Sequence, residues 1–164
     1  TITDAALNIR PNIQEKIEII KNTAALCNSF GIKQPKTAYI CAVEKVNPEK
    51  MPETEEAAIL TQMANRGQLG NILFDGPLAI DNAVSEKSVA IKKIQSSVGG
   101  DADILIFPEI ISCNAVYKTL GYLAGAKLGA LILGSSIPII LTSRADNDET
   151  KLNSILTALS YSGG

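Results

Sequence analysis

The sequence predicts an α/β fold in which helices cover a largely parallel sheet. Segments with helical periodicity alternate with short apolar strand segments along the whole chain, which is the pattern of β-α-β units. Glycine or proline follows several of these segments, as expected where a helix or strand ends. A length of 164 residues and a hydrophobic fraction of 46% suit one compact domain with its own core, or one domain plus part of another.

The first half of the chain is predicted to contain three helices separated by strands. Apolar residues recur at helical spacing from Ile13 to Phe30, Pro11 can begin that helix, and Gly31 can end it. Asp81 can cap the third helix. In chain order, these elements are helix 13–30, strand 36–43, helix 53–66, strand 71–74 and helix 84–97.

The second half is predicted to begin with a buried strand over 104–107, which Pro108 ends, and a helix over 114–126. The most apolar stretch, 128–142, contains glycine, serine and proline and is too short to span a bilayer. It therefore predicts two buried strands, at 130–133 and 139–141. A final helix is predicted over 148–161. Its inner face is expected to carry Leu152, Ile155, Leu156 and Leu159.

Composition excludes several functional classes. A net charge of -2 and an aromatic content of 4% disfavour nucleic acid and membrane surfaces as partners. Histidine is absent, so the chain holds no complete Ser–His or Cys–His catalytic unit and no histidine-ligated zinc site. Three widely spaced cysteines, Cys27, Cys41 and Cys113, indicate reduced, mostly buried thiols. With no visible secretory signal, a cytoplasmic protein is expected.

Ligands of parallel sheets gather where strands end and helices begin, and residues 142–146 are the most informative segment of this kind. Ser143 and Arg144 follow an apolar strand and precede a helix. Backbone N–H groups at a helix start and an arginine fork suit a phosphate group. Alternatively, Ser143 only stabilises the turn and Arg144 pairs with a neighbouring carboxylate, that of Asp146, Asp148 or Glu149.

The carboxylates of this segment have different expected roles. Asp146 and Glu149 have the spacing of a capping box, so Asp146 is expected to cap the last helix. Asp148 then remains as the freer carboxylate and as a candidate general base. The alternative for Asp148 is a charge that only complements the helix dipole.

Two further segments are candidate binding elements. Asp75 lies in Asp-Gly-Pro at 75–77, where a strand is expected to meet a loop, although a tight turn is the commoner explanation. Asn114, Tyr117 and Lys118 share one helical face. They are candidates for contacts with a phosphate or pantetheine group, or they form a solvated face with one half-buried ring.

Four blocks, in order, resemble the phosphate acetyl/butyryltransferase family. They are residues 42–54, with Ala-Val-Glu-Lys-Val-Asn and Met-Pro-Glu-Thr; residues 75–84 with 100–105; Pro108-Glu109 with Asn114, Tyr117 and Lys118; and Leu-Thr-Ser-Arg-Ala-Asp at 141–146. The ending is similar to the butyryl type. The resemblance implies an isocitrate/isopropylmalate dehydrogenase-like three-layer αβα sandwich. It also implies reversible acyl transfer between coenzyme A and inorganic phosphate, with the coenzyme A thioester as substrate and no separate cofactor or metal.

The resemblance also implies roles for individual segments. Residues 1–142 would be the second domain, which carries the contact of a homodimer, and residues 143–164 a terminal helix that returns to a first domain largely absent here. Ser143 and Arg144 match the family's phosphate-site pair. The base of acetyl-type members falls on Thr150, which leaves Asp148 as the nearest carboxylate.

Two rival functions remain open from the sequence. One is a nicotinamide- and metal-dependent oxidoreductase of the same fold, for which Asp101 and Asp103 are the only close pair of aspartates before residue 146. The other is a non-catalytic dimerisation or binding fragment of the transferase.

Overall fold

The computed structural model describes residues 1–143 and 146–162. The described residues form helices α1 (Ile13–Ser29), α2 (Glu53–Asn65), α3 (Ile80–Val84), α4 (Glu86–Lys92), α5 (Ile110–Tyr122) and α6 (Asp148–Ser162). The strands are β1 (Ile2–Thr3), β2 (Lys36–Ile40), β3 (Leu73–Leu78), β4 (Ile104–Ile106), β5 (Leu131–Ile132) and β6 (Ile139–Ile140). None of these helices is both long enough and apolar enough to cross a membrane.

Four of the strands form one parallel sheet in the order β1-β4-β2-β3. In the central strand β2, Thr37 lies opposite Ile104 of β4 on one side and Phe74 of β3 on the other. Strands β5 and β6 pair with each other as a separate antiparallel ribbon. The predicted α/β fold with a mostly parallel sheet is therefore confirmed.

Apolar clusters lie on both faces of the parallel sheet. Along β4 and the residue after it, Ile104 and Ile106 contact the cluster that contains α1 and α2, whereas Leu105 and Phe107 contact the cluster of α3 and α5. This alternation follows from the two-residue period of a strand. A strand buried on both faces reads as a continuous apolar run, which is why the sequence predicted β4 correctly.

Helix α1 matches its prediction, and its first turn is built by local hydrogen bonds. The Asn12 side chain accepts from the Glu15 N–H at 3.0 Å, while the Glu15 carboxylate accepts from the Asn12 N–H at 2.7 Å. This is a capping box, which satisfies backbone donors that have no partner within the helix. Pro11 thus precedes the cap. Gly31, at φ +87°, follows the last turn and adopts a conformation that favours glycine.

The predicted helix over 84–97, with Asp81 as its cap, is wrong. Two shorter helices, α3 and α4, occupy this region, and Ser85 caps the second because its extended backbone lets its hydroxyl accept from the Ser88 N–H at 3.3 Å. Asp81 lies inside α3. Its carboxylate accepts a hydrogen bond from the Ser88 hydroxyl and pairs with Lys92 at 3.0 Å.

Helix α5 begins four residues before its predicted start and ends before residue 126. The Glu109 carboxylate caps it, accepting from the Ile111 N–H at 2.7 Å and the Ser112 N–H at 2.8 Å. Glutamate is not among the residues strongly preferred at this position. The cap was therefore not recognisable from the sequence.

Helix α6 has its predicted bounds but packs through the opposite face. Ser154 is fully buried: its hydroxyl donates to the Thr150 carbonyl at 2.8 Å and accepts from the Ala130 N–H at 3.0 Å. The small side chains let the helix approach the chain at Gly129 so closely that an added Cβ would lie 3.2 Å from Asn153. The predicted inner residues Leu152, Ile155, Leu156 and Leu159 are instead 46–64% exposed.

The strands predicted in the apolar stretch exist, but they are not buried. Leu131 and Ile132 of β5 are half-buried, and Ile139 and Ile140 of β6 are 40% and 38% exposed. Apolar composition alone therefore indicated the strands correctly and their burial wrongly. The ribbon contacts α6.

Because α6 packs through the face opposite to the predicted one, substitutions at two nearby positions are expected to change the free energy of unfolding by different amounts. Leu156→Lys is expected to change the free energy of unfolding by less than about 0.5 kcal/mol, because the side chain already faces solvent. Ala158→Lys, at a buried position, is expected to cost about 2 kcal/mol or more, because a charged chain must enter packed space. Chemical denaturation measures both values. A larger loss for Leu156→Lys than for Ala158→Lys would contradict the observed face.

Candidate active site

Four of the sequence-predicted site residues line one cavity beside the edge strand β1. Asn114, Tyr117 and Lys118 reach it from α5, and Ser143 reaches it from the segment after β6. The cavity has a volume of about 860 Å³. This is within the range of about 300–1,000 Å³ that small-molecule sites occupy. The structure thus brings Ser143 to the same cavity as residues that precede it in the chain by 25 positions or more.

Tyr117 and Lys118 form the polar wall contributed by α5. The Lys118 Nζ lies 5.2 Å from the centre of the Tyr117 ring and 5.7 Å from that of Tyr122, within the range of cation–π attraction. Burial, and secondarily the negative charge of Asp146, raises the pKa of Tyr117. This wall therefore offers a phenol O–H group beside the Lys118 side chain.

A second lysine, Lys127, also lines the cavity and pairs with Glu149 at 2.7 Å. The lining also includes apolar side chains, among them Leu26, Phe30 and Leu120. A cavity lined by two lysines and by aliphatic and aromatic side chains suits a ligand that combines an anionic group with an apolar chain.

Asn114 anchors a loop that also lines the cavity. Its Nδ2 donates to the Ala5 carbonyl at 2.9 Å. The Asp4 carboxylate accepts from the N–H groups of Ala6, Leu7 and Asn8 at 2.8–3.1 Å. Burial raises the pKa of Asp4, but these hydrogen bonds together lower it by a larger amount. The pKa of Asp4 is therefore below its usual value. Sequence analysis missed this wall, although an aspartate followed by small and polar residues is a signal for such a turn.

Two hydrogen bonds join Ser143 to Asp146. The Ser143 N–H donates to Asp146 Oδ2 at 2.6 Å, and the Asp146 N–H donates to the Ser143 carbonyl at 3.0 Å. The expected role of Asp146 as helix cap is wrong, because Asn147 caps α6 by accepting from the Thr150 N–H at 2.8 Å. Arg144, the predicted phosphate ligand, lies outside the described residues.

Two predicted site residues are not part of the cavity lining. Asp148 is at the surface, where its carboxylate is fully exposed and pairs with Lys151 at 3.2 Å. Asp75 lies inside β3, so the expected loop at 75–77 is wrong, and its carboxylate accepts from the Gly76 N–H at 2.8 Å. The binding role of Asp75 and the role of Asp148 as a general base therefore stay predictions.

The cysteines offer no activated nucleophile. All three are buried, and none of them forms a disulfide, as the sequence predicted. Burial is the main reason that the pKa of Cys27 is raised and that those of Cys41 and Cys113 rise to about 12. Thiolates are the reactive form, so these side chains remain neutral thiols.

The acidic pair on which the oxidoreductase alternative depends has a structural role. Lys36 Nζ pairs with Asp101 at 2.7 Å, and the Lys36 N–H donates to Asp103 Oδ2 at 2.8 Å. Both contacts hold the beginning of β2. Within residues 1–143 and 146–162, no group of three or more acidic, cysteine or histidine side chains is arranged to hold a metal ion.

Comparisons with known proteins agree with the resemblance seen in the sequence. The family "Phosphate acetyl/butaryl transferase" matches residues 1–159. A phosphate butyryltransferase from Clostridium acetobutylicum is 46% identical over 99% of this chain and 54% of that protein. A phosphate acetyltransferase from Thermotoga maritima is 48% identical over 94% of this chain and 52% of that protein.

A solved structure shares the fold over nearly the whole of this chain. A branched-chain phosphotransacylase from Enterococcus faecalis V583 has a TM-score of 0.91 and 39% identity, and the match covers 98% of this chain and 57% of that one. The chain thus spans about half the length of the relatives that it matches. On the residues matched and the identity to its relatives, this chain belongs to the phosphate acetyl/butyryltransferase family.

Proposed function

We propose that the protein at its natural length transfers a butyryl or branched-chain acyl group reversibly between coenzyme A and inorganic phosphate. The observation that carries this proposal is the meeting of Ser143, Tyr117 and Lys118 at one cavity with an apolar side. The relatives are named for the transfer of butyryl, acetyl and branched-chain groups, which supports acyl transfer to phosphate. Coenzyme A enters as the thioester substrate and no separate cofactor takes part.

The reaction is a direct displacement at the thioester carbonyl. A phosphate oxygen attacks the carbonyl carbon, a C–O bond forms, the C–S bond breaks, and the sulfur leaves as a thiolate that then takes a proton. Arg144 and the start of α6 would hold the phosphate, while Ser143 would donate to the carbonyl oxygen as its negative charge grows. Correct placement of two substrates can supply roughly 7–11 kcal/mol of the barrier, and one donor to the oxyanion about 3 kcal/mol.

The proposal assigns the general base to none of the described carboxylates. Thr150 stands where the resemblance implies the base, and it is buried with its N–H bonded to Asn147. Asp148 would have to leave Lys151 and the solvent to reach the cavity. Since phosphate is already largely ionised at neutral pH, positioning is the larger requirement.

We further infer the domain organisation that the resemblance implies. Residues 1–142 would form the second domain of an isocitrate/isopropylmalate dehydrogenase-like αβα sandwich and carry the homodimer contact, and residues 143–164 would contact a first domain. A second candidate function for the 164-residue chain alone is therefore a binding or dimerisation module. The match to about half of each relative favours this for the isolated chain.

The deciding experiment measures phosphate-dependent release of coenzyme A thiol from acetyl-, butyryl- and isobutyryl-CoA. The protein at its natural length should release thiol fastest from butyryl- or isobutyryl-CoA, and the 164-residue chain slowly or not at all. Turnover that does not depend on phosphate would reject the proposed function. Rapid turnover by the 164-residue chain would reject the module as its separate role.

Arg144→Ala is expected to impair the use of phosphate more than the use of acyl-CoA. Losing hydrogen bonds from a charged group costs about 1.5–3 kcal/mol, which corresponds to a rise of roughly ten- to a hundredfold in KM for phosphate. Arg66→Ala is the matched control, because Arg66 is exposed at the end of α2. An unchanged KM for phosphate in Arg144→Ala would remove this residue from the site.

A further inference from the structure

We propose that Asp146 is a positioning residue for the acyl transfer, and that it acts by holding the backbone of Ser143 at the cavity. The inference rests on the proposed function, because it assigns Ser143 a place beside the reacting carbonyl. Asp146 does not touch substrate in this account. It determines where Ser143 lies.

The geometry consists of two hydrogen bonds between the same two residues. The Asp146 carboxylate accepts from the Ser143 N–H at 2.6 Å, and the Asp146 N–H donates to the Ser143 carbonyl at 3.0 Å. The first is charge-assisted and short, a class that is about twice as strong as a neutral hydrogen bond. Together the two bonds constrain both polar backbone groups of Ser143, and therefore the direction in which its side chain leaves the backbone.

This role is separate from formation of the helix. Asn147 caps α6, with its Oδ1 accepting from the Thr150 N–H and its carbonyl accepting from the Lys151 N–H at 3.2 Å. The carboxylate of Asp146 is therefore not required to begin the helix. It is directed instead at a backbone group of a residue that lines the cavity.

Asp146 also lies near the wall contributed by α5. Its negative charge contributes, after burial, to the raised pKa of Tyr117. One carboxylate thus interacts with cavity residues from two distant parts of the chain.

Two substitutions separate the hydrogen bond from the charge. Asp146→Asn retains an oxygen that can accept from the Ser143 N–H, whereas Asp146→Ala retains none. In the protein at its natural length, Asp146→Ala is expected to lower kcat about tenfold to a hundredfold, since small misplacements of reacting groups have effects of this size. The KM for acyl-CoA should change less than about threefold, and Asp146→Asn should keep most of kcat.

A second measurement does not depend on turnover. The Ser143 amide should exchange its hydrogen slowly in the parent protein and in Asp146→Asn, and rapidly in Asp146→Ala, as measured by mass spectrometry with residue resolution. Asp101→Ala and Asp101→Asn are the matched controls, because Asp101 pairs with Lys36 at the beginning of β2 and is not among the residues that line the cavity. Neither control should alter kcat or the exchange of Ser143.

The outcomes distinguish this inference from the proposed function. An Asp146→Asn variant that loses as much kcat as Asp146→Ala, with the Ser143 amide still protected, would overturn the positioning role, because the charge would then matter. Equal exchange at Ser143 in all three proteins would also overturn it. A parent protein that releases no thiol would instead reject the acyl-transfer proposal, whatever the exchange shows.

Discussion

Glu56→Leu is expected to lower the free energy of unfolding by about 3 kcal/mol, the lower end of the range for breaking a buried ion pair, because Lys16 is buried whereas the Glu56 side chain is 32% exposed. Lys16 Nζ donates to Glu56 Oε2 at 2.6 Å, and the Lys16 side chain is 3% exposed. Without the carboxylate, a buried ammonium group would keep only its hydrogen bond to the Pro11 carbonyl, also at 2.6 Å. The Tyr39 hydroxyl would lose its acceptor as well, since it donates to the same Glu56 oxygen at 2.7 Å.

The double variant Lys16→Met/Glu56→Leu tests this explanation. Removing both charges leaves no buried ion to compensate, and such replacements are often close to neutral. Chemical denaturation of the parent, the single variants and the double variant gives the coupling energy. We expect the double variant to recover most of the stability lost in Glu56→Leu. A loss below about 1 kcal/mol in Glu56→Leu would mean that the pair behaves as an exposed one.

The size of this effect follows from what the network joins. Lys16 belongs to the first turn of α1, Glu56 to the first turn of α2, and Tyr39 to the central strand β2. One carboxylate, which accepts from the Lys16 ammonium group and from the Tyr39 hydroxyl, therefore fixes the two helices against one face of the sheet near their first turns. Apolar contacts among Ile17, Ile20 and Leu60 provide burial, but they do not by themselves determine the relative position of the helix starts.

The sequence predicted well those elements whose formation depends on residues close together in the chain. Helix α1 follows from the spacing of Ile13, Ile17 and Ile20, and β4 follows from a short apolar run. The grouping of Asn114, Tyr117 and Lys118 also succeeded, because spacing within one helix decides which residues share a face. Starts of helices were less accurate where an uncommon cap, such as that of Glu109, determined them.

Features that depend on distant contacts could not be predicted in this way. The buried face of α6 is decided by the hydrogen bond between Ser154 and Ala130 rather than by the apolar stripe of the helix. The loop wall of the cavity is held by the contact between Asn114 and Ala5, 109 residues apart. Asp148 was chosen for its place in the sequence, and its side chain proved to be at the surface because it follows the cap of α6.

Gly76→Ala is expected to lower the free energy of unfolding by about 3 kcal/mol, at the upper end of the range for overpacking. A Cβ added at Gly76 would lie 2.7 Å from the Cβ of Tyr39, 3.1 Å from the Tyr39 carbonyl oxygen and 3.2 Å from the Cβ of Ala57. The first two of these atoms belong to the neighbouring strand β2 and the third to α2. Relief would therefore require backbone movement, since no flexible side-chain end is involved.

Gly31→Ala separates this steric effect from the general cost of replacing glycine. Gly31 has a φ of +87°, and an added Cβ there meets nothing within 4 Å. Its loss should therefore be only about 1 kcal/mol, from the backbone conformation alone. Chemical denaturation of both variants gives the comparison. Equal losses would indicate that β3 moves away from Tyr39 easily. A larger loss in Gly76→Ala would show that the separation of β3, β2 and α2 is fixed by their packing, and that this strand requires a residue without a side chain at Gly76.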